Sequence, residues 1–114
     1  MSIEPSQGEI WEIDLGDPVG HEQGFKRPAL VISVDEFNHG PAGLVVVAPI
    51  TKRKRSIPWH VEVSPPEGAL ARTSQIMVEQ QRVISKDRLI RPRGKISGGT
   101  FEAVQKRLRR LFDL

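Results

Sequence analysis

The chain has 114 residues, enough for one domain with a single core, and its 38% hydrophobic and 27% charged residues exclude a disordered chain. It contains no cysteine, which excludes a disulfide scaffold, a thiolate metal site and a cysteine nucleophile. The first 25 residues hold six acids and no Lys or Arg. Residues 26–114 therefore contain all 17 basic residues and only eight acids. This excess of positive charge favours a polyanionic partner such as nucleic acid.

No segment of the sequence predicts secretion or membrane insertion. The first eight residues are mostly polar, and no apolar run approaches the roughly 20 residues that span a bilayer. We therefore expect a cytoplasmic protein without a membrane segment.

Short β-prone segments alternate with turns along the first 96 residues. The segments predicted as strands are residues 9–15, 29–34, 44–50, 59–63, 73–78 and 88–96. In the first of them Trp11 shares an apolar face with Ile13 and Leu15, whereas Ile10 falls on the opposite, polar face. Pro49 predicts a bulge or strand end, and the last strand is expected to bend at Pro92 and Gly94. Frequent Pro and Gly at short spacing favour a compact barrel over a βαβ fold.

The C-terminal segment changes to a helical period. Its apolar positions are Phe101, Val104, Leu108, Leu111 and Phe112. Ser97 or Thr100 can cap its N-terminus, and Glu102 with Lys106 makes a favourable i,i+4 pair. The pattern predicts one amphipathic helix packed against the barrel.

The titratable residues do not form a metal-binding or histidine-pair motif. There is no H-E-x-x-H sequence and no EF-hand loop, so we predict no metal and no other cofactor. Acid–base catalysis by histidines needs two imidazoles at one phosphate. His39 and His60 are expected at the surface, whereas His21 lies in the long turn-rich loop 16–24 and is a weak candidate for proton transfer.

Residues 21–28 are the most informative stretch. Gly24 is expected to let backbone approach a ligand, and Pro28 stiffens the point where the loop enters a strand. Arg27 is thereby held at a strand start, where its guanidinium can bind a phosphate bidentately. From the residues alone, however, the simpler interpretation of Arg27 is an ion pair with a nearby acid such as Glu22.

Several ordered motifs resemble the MazF/PemK family of toxin endoribonucleases from type II toxin–antitoxin systems. They are residues 8–11, 22–24, 27–33, 47–51 and 74–84, followed by the C-terminal helix. The resemblance covers nearly the whole chain. It implies one domain over residues 1–114, a mainly β fold that is an SH3-like barrel of the MazF/CcdB type with a C-terminal amphipathic helix, and a homodimer.

The resemblance also implies the activity and its residues. The family cleaves single-stranded RNA at short sequences without metal and is inhibited by a cognate antitoxin, here expected to be acidic and MazE-like. The family's catalytic arginine and threonine fall on Arg27 and Thr51, and Glu22 matches an acid implicated in some members. The nucleophile is the RNA 2′-hydroxyl, which leaves a 2′,3′-cyclic phosphate and a 5′-hydroxyl. The proton acceptor stays open among Glu22, His21 and Arg27.

The RNA contacts are expected from the long loop, the basic tract 52–55 and polar positions near the family's RNA groove. The residues concerned are Gln23, Gly24, Phe25, Lys26, Lys52, Arg53, Ser74, Gln80 and Arg82. Phe25, with Phe37, is a candidate for base stacking, whereas Trp11 and Trp59 are expected in the core or a dimer interface. The role of the basic tract as a whole stays open.

Two alternatives carry different functions. One is a non-catalytic toxin of the same barrel that acts on DNA gyrase, as CcdB does. The other is a nucleic-acid-binding module without turnover. Arg27 and Thr51 favour the ribonuclease over the first alternative, because the CcdB branch does not need them.

Overall fold

The computed structural model describes residues 4–114, in which seven strands form one antiparallel sheet. The strands are β1 (Glu9–Asp14), β2 (Lys26–Val31), β3 (Leu44–Thr51), β4 (His60–Val63), β5 (Ser74–Met77), β6 (Arg82–Ser85) and β7 (Leu89–Lys95). The helices are α1 (Asp35–Asn38) and α2 (Gly98–Phe112). The strand order is β4-β5-β3-β2-β1-β7, with β6 paired to β3 off this path. The predicted mainly β fold with a C-terminal helix is confirmed.

The sheet buries apolar side chains on both of its faces. Trp11, Ile13 and Leu15 lie in one cluster, as the alternation in β1 predicted. Ile10 was expected on the polar face and is fully buried in the other cluster, together with Val104 of α2. The prediction of a polar second face is wrong at this end of β1, because α2 and the turn before β5 cover that side.

Pro49 lies inside β3 rather than at a bulge or at the strand end. It pairs with Ala29 of β2, and the strand continues to Thr51. On its other side β3 pairs with β6 as far as Val47 and with β5 from Ile50 onward. Pro49 therefore occupies the gap between two partner strands, where no ladder partner needs its missing N–H.

Two short elements escaped the sequence patterns. α1 directly follows the predicted strand 29–34, at residues for which no helix was expected. The buried Asn38 side chain donates to the Ser33 carbonyl (2.8 Å), and the Ser33 hydroxyl accepts from the Val46 N–H (2.9 Å). These bonds end β2 at Val31 and replace its last ladder positions. β6 (Arg82–Ser85) was not among the predicted strands either.

The amphipathic helix α2 begins at the predicted cap. The Ser97 hydroxyl accepts from the Thr100 N–H (3.1 Å), and the Glu67 carboxylate accepts from the Ser97 N–H (2.6 Å) and the Thr100 hydroxyl (3.1 Å). Burial by itself raises the pKa of Glu67, but the hydrogen bonds from Ser97 and Thr100 outweigh it and leave the pKa below 4.5. Phe112, expected in the apolar stripe, is half exposed because the helix extends past the sheet.

Glu67→Gln should lower the free energy of unfolding at neutral pH by about 0.5–1 kcal/mol, because charged acceptors bond more strongly than neutral ones. Since folding lowers the pKa of Glu67, its contribution is complete above pH 4.5 and is lost as the pH falls through the folded-state value. Urea unfolding of both proteins at pH 7 and at pH 3 measures this. Glu102→Gln, whose 3.9 Å pair with Lys106 is exposed, is the matched control. Equal stability of the Glu67→Gln variant and the wild-type protein at pH 7 would refute the role.

Candidate active site

Arg27 and Thr51 lie side by side at one edge of the β2–β3 pair. The pairing of β2 with β3 ends at Ala29 opposite Pro49, and Arg27 and Thr51 each lie two residues beyond this pair, on the same face as it. Residues directly opposite in an antiparallel pair share one face of the sheet. The two side chains accordingly line the same two cavities.

The guanidinium of Arg27 is held by backbone carbonyls rather than by an acid. Its Nε donates to the Gly24 carbonyl (3.1 Å), and its Nη1 lies 3.5 Å from the Ile50 carbonyl oxygen. Among residues 4–114 Arg27 forms no ion pair, so the predicted pairing with Glu22 is wrong. Burial lowers the pKa of Arg27. An arginine keeps its charge through such a shift, and a partly desolvated cation without a counter-ion favours an anionic ligand.

The first cavity, of about 390 Å³, lies on one side of this pair. Its lining combines an apolar surface (Pro28, Ile50, Leu70, Ala71) with Glu12, Ser74 and five cations (Lys26, Arg27, Lys52, Arg53, Arg93). Glu12 is paired with Arg93 at 3.3 Å, so the net charge of the lining is strongly positive.

The second cavity, of about 340 Å³, lies on the other side and is more polar. It shares Arg27, Thr51 and Arg53 with the first cavity. Its other polar or charged lining residues are His21, Gln23, Arg55, His60, Glu79 and Gln80. The basic tract 52–55 thus contributes to both cavities, which gives a location to a segment whose role the sequence left open.

Comparison with known proteins identifies the family. Residues 6–112 match the family model described as PemK-like, MazF-like toxin of type II toxin-antitoxin system. The chain belongs to this family. It is 32% identical to endoribonuclease MazF9 of Mycobacterium tuberculosis, covering 95% of this chain and 96% of that one. It is 38% identical to endoribonuclease EndoA of Bacillus subtilis, covering 73% and 72%. The predicted MazF/PemK membership and the predicted enzyme class, an endoribonuclease, are confirmed.

Solved MazF structures share the fold. The crystal structure of MazF from Deinococcus radiodurans superposes with a TM-score of 0.87 at 24% identity, covering 99% of this chain and 100% of that chain. An endoribonuclease in complex with its cognate antitoxin from a mycobacterial species superposes with a TM-score of 0.80 at 23% identity, covering 96% of each chain. The fold is therefore that of MazF over nearly the whole length.

Glu22, the acid that the family resemblance brought forward, lies outside both cavities. It is exposed and lines a neighbouring cavity of about 290 Å³, together with Gln23, Gln80 and Arg82. Gln23 and Gln80 connect that cavity to the second one. The structure therefore does not bring Glu22 together with Arg27 in one cavity.

Gly24 serves the packing of its own loop. A Cβ there would lie 2.6 Å from Pro18 Cδ and 2.8 Å from the Gly16 carbonyl oxygen. Gly24 thus has a packing reason to be a glycine, and it also provides the carbonyl that holds Arg27. The approach of its backbone to a ligand stays a prediction. Phe25 follows with φ +62° and a ring that is 60% exposed, outside the two cavities.

Most of the remaining predicted RNA contacts line one of the two cavities. Lys26, Lys52, Arg53 and Ser74 line the first one, and Gln23, Arg53 and Gln80 line the second. Ser74 is buried, and its hydroxyl donates to the Arg72 carbonyl (2.9 Å). Phe37, the second stacking candidate, lies on α1 beside Val34 and away from Arg27.

His60 is the clearest error among the predicted side-chain positions. It was expected at the surface and is buried, with Nε2 2.9 Å from Glu79 Oε2. Sequence reasoning missed both residues, because a strand pattern says which side chains share a face and not what covers that face. His39 is exposed as predicted, and His21 is exposed beside the second cavity.

No helix within residues 4–114 is long and apolar enough to cross a membrane. Within the same range, no group of three or more His, Asp or Glu side chains is placed to hold a metal ion.

Proposed function

We propose that this chain cleaves single-stranded RNA at short sequences, without a metal, and that Arg27 and Thr51 are its catalytic residues. One observation carries the proposal. A guanidinium that has no counter-ion among residues 4–114 is fixed by the Gly24 carbonyl and shares two cation-lined cavities with a threonine hydroxyl. Such an arrangement fits a phosphodiester with a nucleotide on each side.

The reaction follows from these groups. The RNA 2′-hydroxyl attacks the adjacent phosphorus, the O2′–P bond forms, and the P–O5′ bond breaks. The products are a 2′,3′-cyclic phosphate and a 5′-hydroxyl, which takes up a proton. The phosphorane carries extra negative charge, and preorganised donors at such charge are worth roughly 10²–10³ in rate each.

Thr51 is oriented to act as one of those donors. Its Oγ1 accepts from the Arg53 N–H (3.2 Å), which leaves the hydroxyl proton available for a phosphoryl oxygen. Arg27 has its Nη2 unbonded within the described part of the chain and can neutralise a second oxygen. For the proton acceptor we favour His21 over Glu22, because His21 lines the cavity that Thr51 lines. Arg27 keeps its charge and has no lone pair with which to accept the proton.

The surrounding cations supply affinity for RNA. Lys26, Lys52, Arg53 and Arg93 line the first cavity and can contact phosphates on one side of the cleaved bond. Arg82 lines the neighbouring cavity next to Gln23 and Gln80, and the exposed Phe25, next in sequence to Lys26, is available to stack on a base. We assign Gln23, Gln80 and Ser74 to hydrogen bonds with RNA, with Ser74 acting from within the wall.

The same charge suits an inhibitor. An acidic, MazE-like antitoxin segment would compete with RNA for the cationic cavities. We extend the proposal to a homodimer of a single domain, residues 1–114, acting in the cytoplasm, where messenger RNA is found.

Purified protein incubated with a long single-stranded RNA in EDTA should produce discrete fragments ending in 2′,3′-cyclic phosphate. Replacing the 2′-hydroxyl at a mapped site by hydrogen should abolish cleavage there, because the nucleophile is removed. End mapping by sequencing and a 3′-end phosphatase assay measure both results. RNA that stays intact but bound would favour a binding module. Neither binding nor cleavage would favour a CcdB-like toxin.

A further inference from the structure

A hydrogen-bonded pair of side chains, His60 and Glu79, lies in the wall of the second cavity and has no part in the proposed cleavage chemistry. His60, the first residue of β4, places Nε2 2.9 Å from Oε2 of Glu79, in the 3-10 turn Val78–Gln80. The His60 side chain is 3% exposed and that of Glu79 is 25% exposed. Both line the cavity that contains Arg27 and Thr51.

The second carboxylate oxygen of Glu79 has no hydrogen-bond partner. Oε1 is buried and unbonded within residues 4–114, while Oε2 is held by His60. A buried acceptor without a donor is costly, and most such atoms in folded proteins find a partner. The terminal torsion of a glutamate is soft, so a small rotation can present this oxygen to the cavity. The missing donor is one that a ligand in the cavity can supply.

The polar groups of this cavity are divided by charge. Arg27, Arg53 and Arg55 are its cations, whereas Glu79 and the amide of Gln80 supply acceptors. A nucleotide is divided in the same way, with an anionic phosphate at one end and the edge of a base at the other. A carboxylate repels phosphate, so in an RNA site Glu79 suits the base.

A carboxylate accepts hydrogen bonds and donates none. Adenine, cytosine and guanine carry an exocyclic amino group that can donate to it. Uracil carries none, and its N3–H lies between two carbonyl oxygens that a carboxylate repels. We propose that Glu79, positioned by His60, selects an amino-bearing base beside the cleaved bond and disfavours uracil at that position. This inference rests on the proposed ribonuclease function, because it assigns specificity at the same site.

The wild-type protein allows a direct test. Cleavage of a randomised RNA pool, with ends mapped by sequencing, should show uracil depleted at one position next to the cut. Replacing the preferred base there by its analogue without the amino group should lower kcat/KM about 10- to 100-fold. Equal cleavage of the analogue, or uracil accepted at both neighbouring positions, overturns the proposal. If no RNA is cleaved at all, the proposed ribonuclease function fails too. Cleavage without the expected base preference overturns only this inference, so the two failures are distinguishable.

Variants test the residue itself. Glu79→Gln presents a donor as well as an acceptor and should reduce discrimination against uracil at least 10-fold, while Glu62→Gln, an exposed acid of β4, should leave it unchanged. His60→Gln should also reduce discrimination, and this effect should vanish in the Glu79→Gln background. A Glu79→Gln protein that keeps wild-type base preference overturns the proposal. So does one that loses turnover on every sequence alike, which would make Glu79 part of the chemistry.

Discussion

Arg27→Lys should reduce the rate constant for RNA cleavage by about 10²–10³-fold while leaving the fold intact. The Nε and Nη1 atoms of Arg27 donate to the Gly24 and Ile50 carbonyls, which leaves Nη2 to bind the phosphate. The charge of a lysine ammonium is centred on one nitrogen. That nitrogen cannot bond the two backbone carbonyls and also contact the phosphoryl oxygen in the geometry that the guanidinium provides. Because its positive charge is retained, RNA affinity should change far less than the rate.

Single-turnover cleavage of one defined RNA separates these quantities, since it gives a rate constant and a half-saturating concentration. Arg109→Lys, an exposed position on α2 outside both cavities, is the matched control and should cleave at the wild-type rate. Near-normal cleavage by the Arg27→Lys protein would remove Arg27 from the mechanism.

Gly68→Ala should lower the free energy of unfolding by about 2–4 kcal/mol, from overpacking of the core together with left-handed backbone strain. Gly68 has φ +62° and lies against Ile10, where a new Cβ would come within 2.9 Å of Cγ1 and still closer to Cδ1. Gly94 of β7 packs on Gly68 from another side, since a Cβ on Gly94 would lie 3.0 Å from the Gly68 carbonyl carbon. The side chain of Ile10 is fully buried, so it has little space to move.

Urea unfolding followed by circular dichroism measures this effect. Gly98→Ala provides the contrast, because nothing lies within 4 Å of its Cβ position and it stands in the first turn of α2. That change should be neutral or stabilising by up to about 1 kcal/mol. Two glycine variants of equal stability would show that Gly68 is not packed against Ile10 as described.

Much of the fold was predictable because local patterns reflect local causes. Alternation at Trp11 and Ile13 marked a strand with one apolar face, and a 3.6-residue period with Ser97 before it marked α2 and its cap. Pro49 misled for the same reason. A proline reports a missing N–H, and only the partner strands decide whether that N–H was needed.

The candidate site was less predictable from the residues alone. Arg27 before a proline was visible, but its neighbours depended on which strands paired. The sequence suggested Glu22 as the partner of Arg27, five residues away. In the structure Thr51 shares two cavities with Arg27, and Glu22 lines another cavity. Sequence proximity was a poor guide because loop 16–24 packs on itself around Gly24.

By itself, the sequence determined a basic, cysteine-free, mainly β chain with a C-terminal helix, and its motifs determined the MazF/PemK family. Only the tertiary structure decided which polar groups share a cavity. It joined Arg27 to Thr51 across two strands and buried His60 against Glu79, 19 residues away. The physical reason is that strand register and burial arise from contacts distant along the chain, whereas patterning records only the face that each residue prefers.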